Sequence, residues 1–171
     1  MLQLRAEKTP DAPGIRAVHL AAFAPRANEA NLVDRLRDNG QTTISLVGVS
    51  NGQLVGHVLF SPVILAGYPA AGRGLGLAPV AVRPDFQRQG IGSRLVRHGL
   101  DVAREAGFDF VIVLGDPNYY GRFGFRPASQ YQLDNEYGAG DEFMAIELRP
   151  GALSGAAGRV QYRPEFKETG C

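Results

Sequence analysis

Apolar residues follow a helical period near the start of the chain, then a strand period, then the two in alternation. Leu2 to Arg5 alternates and predicts a short edge strand. From Asp11 to Phe23, the positions Ile15, Val18, Ala22 and Phe23 share one helical face. A second helix is predicted over Glu29 to Arg37, with Leu32, Val33 and Leu36 inward and "DNG" as its stop. "TTISLVGVS" and "QLVGHVLFSPVIL" then read as strands joined by Asn51-Gly52, a pair that accepts the positive φ angles of a two-residue hairpin turn. A third strand spans Gly74 to Val82, reached through a loop from Gly67 to Gly72.

After "RPDFQRQGIG", Ile91, Leu95, Val96, Gly99, Val102 and Ala106 fall near one side of a helix that Gly107 stops. Arg94, Arg97, His98, Asp101 and Arg104 point elsewhere, and Arg97 and Asp101 stand at a pairing distance of four residues. "FDFVIVLG" is a continuous apolar run, the pattern of a strand covered on both faces. Strand, loop, long helix and strand make a crossover that joins two parallel strands, right-handed by the usual rule. Asp116, Pro117 and Gly124 supply the cap, first turn and stop of a short helix. Tyr131 to Gly140 reads as a loop, "EFMAIELR" as a strand and "GALSGAAG" as a small-residue linker. "RVQYRPEF" reads as a last strand that pairs with "EFMAIELR". The predicted fold is α/β (α+β), with a mixed, mostly antiparallel central sheet, flanking helices and one parallel strand-helix-strand crossover. A single domain over 1–171 is expected, without internal repeats.

Composition narrows the function. Eighteen basic and 17 acidic residues leave a net charge of +1, so nothing in the balance calls for nucleic acid or a membrane surface. No stretch approaches the ~18 apolar residues of a membrane span, and the N-terminus lacks the pattern of a cleaved leader. The one cysteine, Cys171, excludes an intrachain disulfide and is expected to be a solvent-exposed tail thiol. A cytoplasmic protein is expected. No His, Cys or Asp cluster has metal-ligand spacing, so no metal is expected. No serine sits in a nucleophile elbow.

The chemistry concentrates at Gly90 and Gly92, where a strand turns into a helix. The first backbone N–H groups of a helix have no partner within it, and its dipole is positive there. Bare glycines leave those donors open to an anion, most naturally a phosphate. A tight turn that simply needs glycine explains the same residues. A Walker A loop would require lysine after its second glycine, where Ser93 and Arg94 stand. A dinucleotide fingerprint would require a third glycine where Leu95 stands.

"QRQGIG", Gln87 to Gly92, is Q-x-x-G-x-G between a strand and an amphipathic helix. It resembles the coenzyme A loop of the GNAT family of N-acetyltransferases. The order of elements resembles that family from about Leu4 to Leu148, and "NYYGRFGF" is similar to its aromatic-tyrosine-x-x-aromatic-Gly-Phe segment. "VLGDPNYYGRFGF" and "MAIELRPGALSG" look especially like a poorly characterised bacterial branch. The resemblance implies acetyl transfer from acetyl-CoA to a primary amine, by direct attack in a ternary complex. A non-catalytic acyl-CoA-binding or regulatory module is the alternative, and a nucleotide-binding module is a third reading.

By the same resemblance, the strand carrying Val80, Ala81 and Val82 splays from its parallel neighbour and pairs its backbone with the pantetheine arm. The splay leaves a V-shaped opening between the strands ending at Val82 and Gly115. The amides of Gln87, Arg88, Gln89, Gly90, Ile91, Gly92 and Ser93 hold the pyrophosphate. Arg88 adds charge or is simply solvated. Asn118 matches a cofactor-touching asparagine, or is a polar residue of a first helical turn. Tyr120 matches the family's general acid, with a backbone N–H near Val82 as oxyanion donor. Tyr119 is its competitor, but Tyr119 and Phe123 stand four apart and should stack on one helix face, leaving Tyr120 on another. The general base is not readable; Glu29 and His57 are candidates, beside a water chain. The acceptor is a small-molecule or peptide amine, with Phe23 and the loops around Gly67 and Tyr131 on its side. A homodimer is compatible with such folds.

Overall fold

The computed structural model describes residues 1–66 and 73–171. In chain order the elements are β1 (Leu2–Ala6), α1 (Ala12–Ala22), α2 (Asn28–Asp38), β2 (Ile44–Ser50), β3 (Gln53–Leu65), β4 (Gly74–Val82) and α3 (Ile91–Glu105). They continue with β5 (Phe110–Leu114), α4 (Pro117–Tyr120), β6 (Arg126–Pro127), β7 (Leu133–Asn135), β8 (Phe143–Glu147), β9 (Gly158–Gln161) and α5 (Pro164–Glu168). The Gly67–Gly72 loop expected from the sequence lies outside the described residues. The chain forms two compact units. One comprises Met1–Ser61, Ala78–Gly99 and Pro164–Cys171; the other comprises Pro62–Leu77 and Leu100–Arg163.

In the first unit, β1 and β3 flank β2 antiparallel. Asn51 (φ 49°) and Gly52 (φ 78°) make the hairpin turn between β2 and β3, both in the conformation a two-residue turn demands. Gly48 and Gly56 stand opposite each other and let the start of α3 approach closely. A Cβ at Gly56 would lie 2.9 Å from Leu95 Cδ1 and 3.1 Å from Ile91 Cγ2. Gly99 does the same from the helix side, where a Cβ would meet the Phe60 ring at 2.3 Å. Ile15 and Val18 of α1 and Leu32, Val33 and Leu36 of α2 are at most 1% exposed, while Ala22 and Phe23 at the end of the α1 stripe are half-buried. Arg16 on α1 donates to Asp34 (2.7 Å) and Asn31 (3.1 Å) on α2.

In the second unit, β4 runs parallel to β5, with Gly74, Leu75 and Gly76 opposite Phe110, Val111 and Ile112. β8 pairs antiparallel with β5 and with β6. β5 is buried on both sides from Phe110 to Val113, as its continuous apolar run predicts. Phe110, Ile112, Phe143, Ala145 and Val160 centre the core. The mixed, mostly antiparallel α/β fold and the parallel pair linked through α3 are those expected.

Several details differ from the expectation. The last strand ends at Gln161 and pairs with β3 (Ile64↔Gln161) and, in parallel, with β7 (Leu133↔Gly158), not with β8. Pro164 cannot donate to a ladder but suits a first helical turn, so "PEFKE" forms α5 with Glu165 and Phe166 buried. Tyr131 to Gly140 is not all loop: a 3-10 turn spans Ala128–Tyr131 and β7 follows. The "GALSGAAG" segment buries Leu153 and Ala156. Cys171 is a half-buried free thiol rather than a solvent-exposed one; its N–H donates to Phe166 O (2.7 Å), and burial, before the nearby Glu29 charge, raises its thiol pKa.

Candidate active site

The first unit carries a stretch of exposed backbone. Ala81 is buried in β4, while Val80 and Val82 are half-buried. The Arg83 N–H donates to Val55 O (2.9 Å), anchoring the end of β4 to β3. A 3-10 turn over Pro84–Phe86 follows. The Gln87 side-chain amide reaches back to Val82 O (2.9 Å), and its backbone N–H donates to Pro84 O (3.4 Å), so this glutamine closes the turn with both. Gln87, Arg88, Gln89 and Gly90 are all exposed.

Arg88 (φ 61°) and Gly90 (φ 80°) both take the left-handed conformation. Glycine at position 90 is therefore required by the backbone, as the tight-turn explanation has it. The space above it is also open: a Cβ there would meet no atom within 4 Å. Gly90 O accepts from Arg94 N (3.0 Å), opening α3. Ile91 turns inward, 6% exposed, onto Gly56, which fixes the helix start, while Gly92 and Ser93 lie half-buried in its first turn. The early amides of α3 lack a carbonyl one turn back, as in any helix, and gather the positive end of its dipole.

The second unit carries its own candidate residues, Asn118, Tyr119 and Tyr120. The Asp116 carboxylate accepts from Asn118 N (2.9 Å) and caps α4, leaving Asn118 exposed. Tyr119 meets Phe123 edge-on at 5.3 Å, as the spacing predicts, with the Arg122 guanidinium 4.6 Å above the Tyr119 ring. Tyr120 turns elsewhere and is 8% exposed. Its ring stands edge-on to Phe125 (5.7 Å) and lies over Gly115, where a Cβ would come within 2.3 Å of it. Burial, then the neighbouring Tyr119, raises the Tyr120 pKa above that of a free phenol, so the hydroxyl keeps its proton at neutral pH. Gly124 (φ 100°) ends the segment.

Neither candidate base is simple. His57 is fully buried and both ring nitrogens are engaged: Nδ1 with His19 Nε2 (2.8 Å) and Nε2 with Ser45 Oγ (2.8 Å). Ser45 in turn bonds Glu7, whose other oxygen accepts from Arg37 Nε (2.7 Å). A carboxylate only accepts, so Ser45 donates to Glu7, His57 Nε2–H donates to Ser45, and His19 Nε2–H donates to His57 Nδ1. The chain leaves His19 Nδ1 as a bare, buried lone pair, in agreement with its having no partner. Desolvation pushes both imidazoles toward the neutral form, His19 to about 4 and His57 well below its usual value. His57 is thus a structural histidine. Glu29 binds Arg26 (2.5 Å) with one oxygen and buries the other without a partner.

Sequence reading missed three positions: the Gln87 side-chain bond, Gly115 beneath Tyr120, and Gly76, on which the Tyr162 ring rests. Only the two glycines left a trace, as residues costly inside or beside a strand. Among the described residues there is no cluster of metal-ligating side chains, and no helix is long and apolar enough to cross a membrane.

The model of the acetyltransferase (GNAT) family matches residues 6–125, and the chain belongs to that family. It is 39% identical over 165 residues to the uncharacterized N-acetyltransferase YhbS of Escherichia coli K12, covering 95% of this chain and 97% of that protein. A second E. coli relative, the uncharacterized N-acetyltransferase YjhQ, is 34% identical over 154 residues, 85% of this chain and 84% of that one. The crystal structure of YhbS in complex with CoA superposes with a TM-score of 0.90 at 37% identity, covering 97% and 92% of the two chains. A Brucella melitensis GNAT acetyltransferase in complex with acetyl-CoA gives 0.81 at 36% identity, covering 97% and 98%.

Proposed function

We propose that this chain, acting as one domain, transfers an acetyl group from acetyl-CoA to a primary amine of a small molecule or peptide in the cytoplasm. The reaction runs by direct attack with both substrates bound. The Gln87–Gly92 turn carries the reading, because it offers helix-start amides under an open, side-chain-free Gly90. Amides from Gln87 to Ser93 hold the diphosphate, Arg88 adds charge there, the backbone of Val80, Ala81 and Val82 pairs with the pantetheine arm, and Asn118 touches the cofactor.

In the transfer step the neutral amine forms the new C–N bond, and the C–S bond breaks after a tetrahedral oxyanion. A backbone N–H near Val82 stabilises that oxyanion. Tyr120 donates to the departing sulfur. A free thiol ionises near ~8.5 and a phenol near ~10, so full transfer from a phenol is uphill, and burial makes it more so. Tyr120 therefore serves mainly as a fixed hydrogen-bond donor to the developing thiolate, with solvent completing its protonation and taking the proton the amine loses.

Calorimetry with CoA and acetyl-CoA tests the turn, and thiol release across a panel of amines tests the reaction. Tyr120→Phe should retain CoA affinity while kcat falls roughly a hundredfold, the lower end of general-acid effects. Binding without thiol release from any amine would favour the non-catalytic acyl-CoA module. Absence of CoA binding would refute both.

A further inference from the structure

Every second residue of β8 faces the core of the second unit. Phe143 and Ala145 belong to that core, and Glu147 is the next position on the same face. A carboxylate at the end of an apolar row is costly unless its oxygens find partners. One oxygen does: Oε2 accepts from the Leu153 N–H (2.8 Å). Among the described residues, Oε1 has no hydrogen-bond partner and Glu147 forms no ion pair.

Glu147 is half-buried and lines a cavity of about 360 Å³, within the size range of small-ligand sites. Leu153 and Ala156, each 3% exposed, give the cavity an apolar floor. Tyr131 is half-buried, packs against the same core and supplies a wall, while the exposed Gln130 and Ser154 stand at the rim. The Tyr131 hydroxyl, the Gln130 amide and Ser154 Oγ have no hydrogen-bond partner among the described residues. No cationic side chain is among the lining residues, so the Glu147 charge is uncompensated there.

We propose that this cavity binds a small aliphatic ammonium, at a site distinct from the transfer centre. An ammonium carries donors for the open Glu147 oxygen, the Tyr131 hydroxyl and the Gln130 carbonyl, and its charge offsets the carboxylate. Its alkyl body covers Leu153 and Ala156, and the Tyr131 ring offers a further surface to a cation. An alcohol of the same shape lacks the charge, and an anion is repelled. Glu147 pairs with Phe110, five positions before Gly115, so the carboxylate lies about 16 Å along β5 from the seat of Tyr120. An amine held here is therefore not the one that attacks the thioester. That separation rests on Tyr120 marking the transfer centre; the chemistry of the cavity does not.

Amide chemical shifts of the full chain, titrated with n-butylammonium and with 1-butanol at constant ionic strength, test this without any assay of transfer. The Leu153 amide, which bonds Glu147, should shift saturably with the ammonium. The alcohol should bind about tenfold more weakly, the scale of one lost charged hydrogen bond. Glu147→Gln, which can still accept from Leu153 N–H, should weaken ammonium binding by about the same factor. Tyr131→Leu should weaken it about threefold, and decides the matter alone if the glutamine variant lacks a native amide spectrum. Equal binding of the two probes, a Leu153 amide that does not move, or unchanged affinity in the folded variants overturns the inference and leaves the acetyl-transfer reading standing. Shifts at Gly115 and Tyr120 without Leu153 would also overturn it, while favouring that reading. Failure to bind CoA would sink the acetyl-transfer reading and leave the ammonium site intact.

Discussion

Each unit buries a pair of titratable side chains in neutral form, and the two pairs answer pH in opposite directions. In the first unit desolvation lowers the pKa of His19 and His57, because the protonated imidazole is the charged form. In the second it raises those of Tyr120 and Tyr162, because there the deprotonated form carries the charge. One physical cost therefore makes the histidine pair acid-sensitive and leaves the tyrosine pair unaffected by acid.

The largest effect should come from acidification. Both histidines bind a proton more weakly folded than unfolded, so their contribution to stability is complete above about 6.5 and is lost as the pH falls. For His19, a shift from 6.5 to about 4 corresponds to roughly 3 kcal/mol. Urea unfolding at pH 7, 5.5 and 4.5 should show that loss. His57→Gln, which cannot titrate, should flatten the slope; an unchanged slope would contradict the neutral buried pair. The tyrosines cause no loss over this range and weaken the fold only above pH 10.

A substitution aimed at the second unit comes next. Gly115→Ala places a methyl where the Tyr120 ring lies, at 2.3 Å, so ring or strand must shift. About 2 kcal/mol of destabilisation is expected, typical of overpacking, together with loss of thiol release at least as great as in Tyr120→Phe. Full activity in Gly115→Ala would show that the ring position is not needed.

In the first unit Gly90→Ala forces a side chain onto φ 80° and should cost about 1 kcal/mol and weaken CoA binding about tenfold. Gly90→Asn, which tolerates that conformation better, should lose less. Equal losses would instead implicate the open space above the residue. The smallest change is Gln87→Ala, which removes one exposed hydrogen bond to Val82 O and should weaken CoA binding two- to threefold, about 0.5 kcal/mol.

The turn was legible in the sequence because its chemistry is local. Asn51-Gly52 and Gln87 to Gly92 state their backbone geometry in the residues themselves, and β3 and β4 have the bounds the periodicity predicts. The β9 pairing was not legible, since its partners on β3 and β7 lie far away in the chain. Pro164 carried the signal for α5, but a strand pattern across "RVQYRPEF" outweighed it. His57 read as a candidate base until its two nitrogens were found engaged.

By itself the sequence determined the hairpin, the strand-helix-strand crossover and the glycine turn that opens α3, because hydrophobic period and glycine conformation act over a few neighbouring residues. Only the tertiary structure decided the protonation of the histidine pair, the seat of Tyr120 on Gly115 and that of Tyr162 on Gly76. Those depend on which surfaces leave water together, and desolvation and close packing are set by residues that meet only after the chain has folded.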